Sequence, residues 1–272
     1  MSELVSIVVP VFNEEENLEE LHRRVAAVFA DADHAIEFVF VDDGSHDRSV
    51  EIIRDLARQD PRVHGVLLSR NFGHEAAIEA GMRDARGDAA IVMDADLQES
   101  PEALPELVVR WREGTDVAYV VRKDRKEGVI QRAAFSAFYR LAHRTMSIDL
   151  PRDAGPFCLV SRPALDAINA MGERGRYFPG LRAFAGFRPE AVEVERKARH
   201  AGATKYSFLG RSMGAFNAIF SFSKIPLRLA SLAGFISAGL ALLGAAWVVI
   251  GGLTSDQNAP GWVSLMAVVL LL

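Results

Sequence analysis

Two carboxylates, Asp94 and Asp96, stand two residues apart where the apolar run Ile91-Val92-Met93 ends, and the carboxamide of Gln98 follows two residues later. In an extended chain alternate side chains share a face, so this spacing predicts that Asp94, Asp96 and Gln98 converge. Hard oxygen ligands suit Mg²⁺ or Mn²⁺, above all an ion that also grips phosphate oxygens. The same residues would suit a polar loop that merely closes a buried strand, because Asp-x-Asp is common by chance.

The elements that must position these groups favour chemistry. Residues 5–9, 36–41, 63–68 and 89–93 are continuous apolar runs, as expected of strands buried on both faces, and 117–121 reads as a fifth. Between the first two, Leu18, Leu21, Val25, Val28 and Phe29 recur at helical spacing. A second helix holds Ile52, Ile53 and Leu56, with Asp47 as its expected N-cap, and a third follows Gly73-His74. This alternation predicts an α/β fold with a mostly parallel sheet covered on both faces. Such sheets bind ligands beyond the carboxyl ends of their strands. There the sequence places Asn13/Glu14, Asp42/Asp43, Arg70/Asn71 and Asp94/Asp96/Gln98. Four polar clusters on one rim favour a functional site over unrelated loops. The first turn, Pro10-Val11-Phe12-Asn13, has no glycine, which argues against a dinucleotide oxidoreductase. A diphosphate bound here would need a metal and cations to neutralise it.

Charge divides the chain. Residues 1–121 carry 11 Lys/Arg against 26 Asp/Glu, while 122–228 carry 20 against 9. A basic half beside a hydrophobic tail points to anionic headgroups and phosphates. No nucleic-acid motif accompanies the charge, so nucleic acid is not an expected partner. Cys158 is the only cysteine, which fits a reducing cytoplasm. The start, Met1-Ser2-Glu3-Leu4, lacks a basic region and is not read as a signal peptide.

After a basic cluster at 122–126, the pattern predicts a helical stretch over 130–148. Asp153 then stands in a Pro/Gly-rich turn, where its spacing alone assigns it to stabilising that turn. Val192 and Val194 alternate with Glu193 and Glu195, as in a half-exposed strand, and 199–206 is a basic loop. Residues 206–228 mix Phe208, Phe216, Phe220 and Phe222 with Arg211 and Lys224, which suits a helix in the bilayer interface. Residues 231–253 carry no charge and are long enough to span a hydrocarbon core of roughly 30 Å. Lys224 and Arg228 flank the first end of this segment and place residues 1–228 in the cytoplasm. Residues 262–272 begin a second apolar run, expected to be a second spanning helix cut short. The expected organisation is a catalytic domain over 1–205, an interfacial helix and linker over 206–228 and a multi-pass transmembrane region over 229–272.

The motifs Val9-Pro10-Val11-Phe12-Asn13-Glu14, Asp42-Asp43-Gly44-Ser45, Leu68-Ser69-Arg70-Asn71-Phe72-Gly73, Met93-Asp94-Ala95-Asp96-Leu97-Gln98 and Arg152-Asp153-Ala154-Gly155, in this order, resemble glycosyltransferase family 2. The closer likeness is to its membrane-anchored polyprenyl-phosphate glycosyltransferases, similar to dolichol-phosphate mannose synthase and bactoprenol glucosyltransferases. That resemblance implies a GT-A (Rossmann-like) fold, a nucleotide-sugar donor with UDP-glucose slightly preferred over GDP-mannose and UDP-N-acetylglucosamine, a divalent metal, a polyprenyl phosphate acceptor, inversion at the anomeric carbon and, in related bacterial enzymes, a homo-oligomer. By position it implies that Pro10, Phe12, Asn13, Glu14, Asp42 and Asp43 frame the base and ribose, with Asp94, Ala95 and Asp96 on the donor. It further implies that Asp94, Asp96 and Gln98 hold the metal, that Arg122, Arg132, Arg199 and Lys205 contact phosphate, and that Asp153 joins Asp94 and Asp96 in catalysis by orienting acceptor or sugar. This sequence departs from its relatives at His74, where Lys is frequent, and at Pro179, where Arg often precedes Gly-Leu. The Gln-x-x-Arg-Trp motif of processive synthases is missing, since Gln131-Arg132-Ala133-Ala134-Phe135 does not match it, which implies a single transfer. Other readings are a GT-A enzyme with a polysaccharide or protein acceptor, and a catalytically silent nucleotide-sugar binding partner of a flippase.

Overall fold

Why the apolar runs are continuous is explained by two layers of cover. The computed structural model describes residues 3–122, 155–172, 177–194, 225–254 and 261. In chain order the elements are β1 (Leu4–Val11), α1 (Leu18–Val28), β2 (Ala35–Asp42), α2 (Ser49–Gln59), β3 (Val63–Leu67), α3 (His74–Asp84), β4 (Ala89–Val92), a 3₁₀ turn (Pro101–Ala103), α4 (Leu104–Arg112), β5 (Val117–Arg122), β6 (Cys158–Ser161), α5 (Arg162–Ala170), α6 (Phe178–Phe184), β7 (Pro189–Val194) and α7 (Ile225–Thr254). The strands form one seven-stranded sheet in the order β3-β2-β1-β4-β6-β5-β7. On one face Val5, Ile7, Val9 and Val11 pack with Leu18, Leu21 and Val25 of α1, Ile53 of α2 and Leu104 and Leu107 of α4. On the other, Val8, Val39 and Val92 pack with Ile78 and Met82 of α3, Leu165 and Ile168 of α5 and Leu181 of α6. With both faces buried, alternation disappears from β1, β2 and β4.

The mostly parallel sheet expected from the sequence contains one reversed strand, β6, which runs antiparallel to β4 and β5. Cys158-Leu159-Val160-Ser161 is too short for its periodicity to show, and Pro156 and Pro163 bracket it. Because β6 is reversed between two strands, β5 runs parallel to β4, and β7 runs parallel to β5. The carboxyl ends of β1 to β5 and β7 therefore share one rim with the start of β6. The chain enters β6 there just after Asp153 and leaves β7 there just before Arg199.

Asp47 lies one residue ahead of the cap position of α2, which Arg48 occupies. It still serves the helix start: its Oδ1 accepts the Ser49 N–H at 3.0 Å and its Oδ2 the Glu15 N–H at 3.2 Å. At the opposite end of α2, Asp60 accepts the Arg62 N–H at 3.0 Å and Nε–H at 2.9 Å and meets His22 Nε2 at 2.9 Å. The Arg62 guanidinium beside it holds the Asp60 carboxyl well below the usual carboxylate range. A depressed folded-state pKa gives stability that is complete above the unfolded value, about 3.9, and lost as pH falls toward the folded one. Asp60→Asn is therefore expected to cost about 2 kcal/mol at pH 7 and clearly less at pH 3. Urea denaturation of both proteins at the two pH values checks this; an equal gap at both would show that the charge is not what Asp60 contributes.

The chain divides into two units, Met1–Phe222 and Ser223–Leu272. Within the second, Leu227–Gly251 is 25 residues long and apolar enough to cross a membrane. Phe235, Leu240, Leu243 and Trp247 along it are exposed. Of the expected interfacial helix and linker, 206–224 lies outside the described residues and 225–228 already belongs to α7; the second apolar run, 262–272, and the helical stretch expected over 130–148 also lie outside them.

Candidate active site at the strand ends

The rim begins with register. Val11 of β1 pairs with Asp42 of β2, and Asp42 with Leu67 of β3, so these strands stop at one level. β4 stops earlier, with Val92 opposite Val8, so the acidic loop starts beside the last residues of β1. Pro10 is buried within β1 at this end.

Backbone and side-chain hydrogen bonds clasp the first two loops together. Ser45 Oγ accepts the Asn13 N–H at 2.9 Å, while Asn13 Oδ1 accepts the His46 N–H at 2.8 Å. Ser49 Oγ accepts the Glu14 N–H at 2.9 Å, and Glu15 Oε2 accepts the Arg48 N–H at 3.0 Å. Glu14 Oε2 accepts from the Asn17 amide at 2.6 Å. Asn13 can turn the chain there because its φ of 54° lies in the left-handed region that Asn tolerates. Phe12, half-buried, meets the His46 ring edge-on with centroids 6.3 Å apart.

Asp42 and Asp43 are both 2% exposed and do different work. Asp43 accepts the Phe72 N–H at 2.7 Å and the Gly73 N–H at 2.9 Å, which fixes the loop between β3 and α3. Asp42 Oδ2 accepts the Gly44 and Ser45 N–H groups at 3.0 and 3.1 Å. Its Oδ1 is buried without a hydrogen-bond partner. Gly44 is required between them: its φ is 71°, and a Cβ would lie 2.6 Å from Arg70 C and Asn71 N.

The acidic loop does not stay extended. Leu97 has a φ of 56°, and the Gln98 N–H donates to Asp96 Oδ1 at 3.1 Å, closing a turn. The extended geometry expected of this loop is therefore replaced by a turn. Asp94, Asp96 and Gln98 are half-buried, whereas Ala95, Leu97 and Glu99 between and after them are buried. Leu97 is buried within this turn, and a left-handed backbone at a leucine is costly enough to mark a site. Among the described residues no group of three His, Cys, Asp or Glu side chains gathers that could enclose an ion. Two carboxylates and one amide oxygen are an incomplete shell of hard donors. That fits Mg²⁺ or Mn²⁺ held partly by a ligand's phosphates, and fits poorly an ion caged by protein alone.

Beside the acidic loop stand His74, already noted as a departure from its relatives, and two residues that the motifs do not mark, Glu75 and Glu99. His74 opens α3, and its Nε2 approaches Asp94 Oδ1 at 3.4 Å. Burial pushes the imidazole pKa down, against the fields of Glu75, Glu99, Asp43 and Asp96. Glu75 accepts the Phe178 N–H at 2.8 Å, tying α3 to α6, and burial raises its carboxyl against that bond. Glu99 is 8% exposed directly after Gln98. Residues that follow a helix start or a motif by one position carry no pattern of their own in sequence. Arg122 ends β5 opposite Val194, on the same rim. Arg132, Asp153, Arg199 and Lys205 lie outside the described residues.

A mostly parallel sheet with one reversed strand, its rim gathering a clasped loop pair and an Asp-x-Asp turn, is the GT-A arrangement of glycosyltransferases. Residues 6–168 match the family described as Glycosyl transferase family 2, and the chain belongs to that family. It is 41% identical over 267 residues to an uncharacterised glycosyltransferase of Bacillus subtilis, YkcC, covering 98% of this chain and 83% of the relative. It is 35% identical over 269 residues to the prophage bactoprenol glucosyl transferase homolog of Escherichia coli K12, covering 98% and 88%. The bactoprenol glucosyl transferase of Shigella phage SfV is similar to the same extent. In fold, the chain resembles a Pyrobaculum calidifontis mannosyltransferase solved with GDP-mannose and Mn²⁺ (TM-score 0.56, 15% identity, 100% of this chain and 81% of that one). It also resembles glucosyl-3-phosphoglycerate synthase of Mycobacterium tuberculosis solved with Mn²⁺ and UDP-glucose (TM-score 0.58, 17% identity, 80% and 79%).

Proposed function

We propose that this glycosyltransferase moves one sugar, with inversion, from a nucleotide-sugar to a polyprenyl phosphate at the cytoplasmic face of a membrane. The observation that carries the acceptor is the extent of similarity to the bactoprenol glucosyl transferases. It covers 98% of the chain, so it runs past the catalytic domain and through the apolar helix Leu227–Gly251. UDP-glucose is the preferred donor on the same ground. Asp42 supports a nucleotide at the β2 end, since its buried, unpartnered Oδ1 wants an N–H donor. The imide of uracil supplies one, and so does the ring N–H of guanine.

Asp94, Asp96 and Gln98 would hold a divalent ion, which when bound neutralises the donor diphosphate and the charge that grows on it as the bond to sugar breaks. The clasped loops at Asn13–Ser49 give the base and ribose a rigid seat, which lowers the ordering cost of binding. The acceptor phosphate is already largely anionic near neutral pH, its second pKa being about 6. Attack on the anomeric carbon therefore needs orientation more than a strong base, and Asp153 is assigned that orienting role. Arg122, Arg132, Arg199 and Lys205 are the candidate cations for the phosphates. The apolar helix Leu227–Gly251 would anchor the chain in the membrane that carries the lipid phosphate.

Membranes containing the protein, incubated with labelled UDP-glucose, GDP-mannose or UDP-N-acetylglucosamine in turn, test the reading. The expected result is chloroform-soluble label from UDP-glucose in the presence of Mn²⁺ or Mg²⁺. Label that enters only water-soluble polymer or protein would overturn the lipid acceptor.

A further inference from the structure

The acidic loop is held by its own turn at one point and met from another element at a second. Asp96 Oδ1 takes the Gln98 N–H at 3.1 Å, within the loop. Asp94 stands two residues past the end of β4, and just before it the Met93 N–H donates to the Val8 carbonyl at 3.1 Å. His74 reaches Asp94 from the start of α3, with Nε2 3.4 Å from Oδ1. The two side chains are 28% and 30% exposed, so water screens their contact only in part.

The mount of the imidazole sets this contact apart from a surface ion pair. Immediately before His74, the Phe72 and Gly73 N–H groups donate to Asp43 at 2.7 and 2.9 Å. Gly73 has a φ of 98°, a backbone turn into α3 that a side chain would strain. Immediately after His74, the Glu75 carboxylate accepts the Phe178 N–H at 2.8 Å and ties the helix start to α6. Further along, α3 lies directly on the sheet, since a Cβ at Gly81 would collide with the side chains of Val8 and Val41. A chain of fixed contacts therefore runs from Asp43, at the end of β2, through the loop at 72–73 to His74 and on to Asp94. An imidazole carried on such a mount can impose an orientation on the carboxylate it meets.

We infer that His74 is a positioning residue for the metal site: with its proton on Nε2, the imidazole donates to Asp94 Oδ1 and holds that carboxylate in the orientation a divalent ion needs. The inference rests on the proposed binding of the ion by Asp94, Asp96 and Gln98. His74 is not itself a ligand in this account, in keeping with the described residues, where no three His, Cys, Asp or Glu side chains gather to hold an ion. Carboxylates that bind a metal are themselves hydrogen-bonded by outer groups, which fix their direction. At 3.4 Å the His74–Asp94 contact is long for an N–H···O bond, and it is expected to shorten once the ion draws the carboxylate into place.

The test reads metal binding, apart from turnover, in the whole detergent-solubilised chain. Mn²⁺ is titrated in the presence of saturating UDP, and the free ion is followed by electron paramagnetic resonance. His74→Met fills similar space without an N–H and is expected to raise the Mn²⁺ dissociation constant roughly 10- to 100-fold, the scale of losing an outer hydrogen-bond partner. His74→Gln keeps an N–H donor and should recover most of the affinity. UDP binding without metal and the ligand-free Tm should match the wild type in both variants. A Mn²⁺ dissociation constant within about threefold of the wild type in folded His74→Met overturns the inference. So does a His74→Gln variant that binds Mn²⁺ no better than His74→Met. An equal loss of metal-free UDP affinity would place His74 on the nucleotide instead, and a Tm that falls in step with metal affinity would reduce it to a part of the fold; either result also overturns the inference. If His74→Met does not fold, His74→Ala takes its place under the same criteria. Failure of the wild type to bind Mn²⁺ with UDP would instead defeat the reading of Asp94, Asp96 and Gln98 as the metal site.

Discussion

Asp96→Asn is expected to lower sugar transfer at least roughly 10³-fold, about 4 kcal/mol of transition-state stabilisation, while the domain stays folded. The substitution keeps an Oδ1 acceptor for the Gln98 N–H, now at 3.1 Å, so the turn that presents the site persists. What goes is one of the two carboxylate charges in a donor set that is already incomplete without a ligand. Binding of donor and metal should fail together. In the wild type, UDP-glucose plus Mn²⁺ at 100 times Kd adds about 2.7 kcal/mol to stability, seen as a rise in Tm. The variant should show its ordinary Tm without ligand and little or no rise with it. Wild-type turnover, or an unchanged ligand-induced rise, would remove Asp96 from the metal site. A fall in ligand-free Tm would instead mean that the turn had been damaged.

The parts of this site legible in sequence are those encoded locally. Apolar runs that stop at Asn13, Asp42 and Asp94 announce strand ends, and β-α alternation puts those ends on one rim, as the registers at Val11, Asp42 and Val92 bear out. The acidic triplet was readable because its spacing is short. What escaped is non-local. Asp43 reads as a ligand contact by position, yet both its oxygens take N–H groups 29 and 30 residues away, so it shapes the β3–α3 loop. Asn13 and Glu14 likewise join the clasp with Ser45, His46 and Ser49. Strand β6 was invisible because four residues carry no period, and its antiparallel place depends on β4 and β5. Extended geometry at 94–98 was a sound default for a chain leaving a strand. It failed at Leu97, whose left-handed backbone has no sequence signature of the kind glycine gives.

The double variant Arg199→Ala/Lys205→Ala is expected to lower transfer efficiency by roughly two to four orders of magnitude, from about 1.5–3 kcal/mol for each charge-assisted phosphate contact if the two add. The placement follows from topology. β7 runs parallel to β5, so the chain leaves the sheet at Val194 on the active-site rim, and Arg199 and Lys205 come next in sequence. The apolar helix follows in sequence, so in chain order these cations come between the last strand of the sheet and that helix. A polyprenyl phosphate needs just that order: cations for its head, then an apolar path for its tail. Donor affinity should change much less, since Asp42, Asp94 and Asp96 are intact. The competing account is that Arg199 and Lys205 only draw the protein to anionic lipid, each worth about 1 kcal/mol and sensitive to salt. Detergent separates the two. With a short-chain polyprenyl phosphate in neutral detergent there is no charged bilayer to attract the protein, but the acceptor phosphate is present. A loss that persists there, as a raised acceptor KM or lowered kcat/KM with donor Kd unchanged, places the two cations on the phosphate. Near-normal transfer in detergent would leave them only the attraction to the membrane surface.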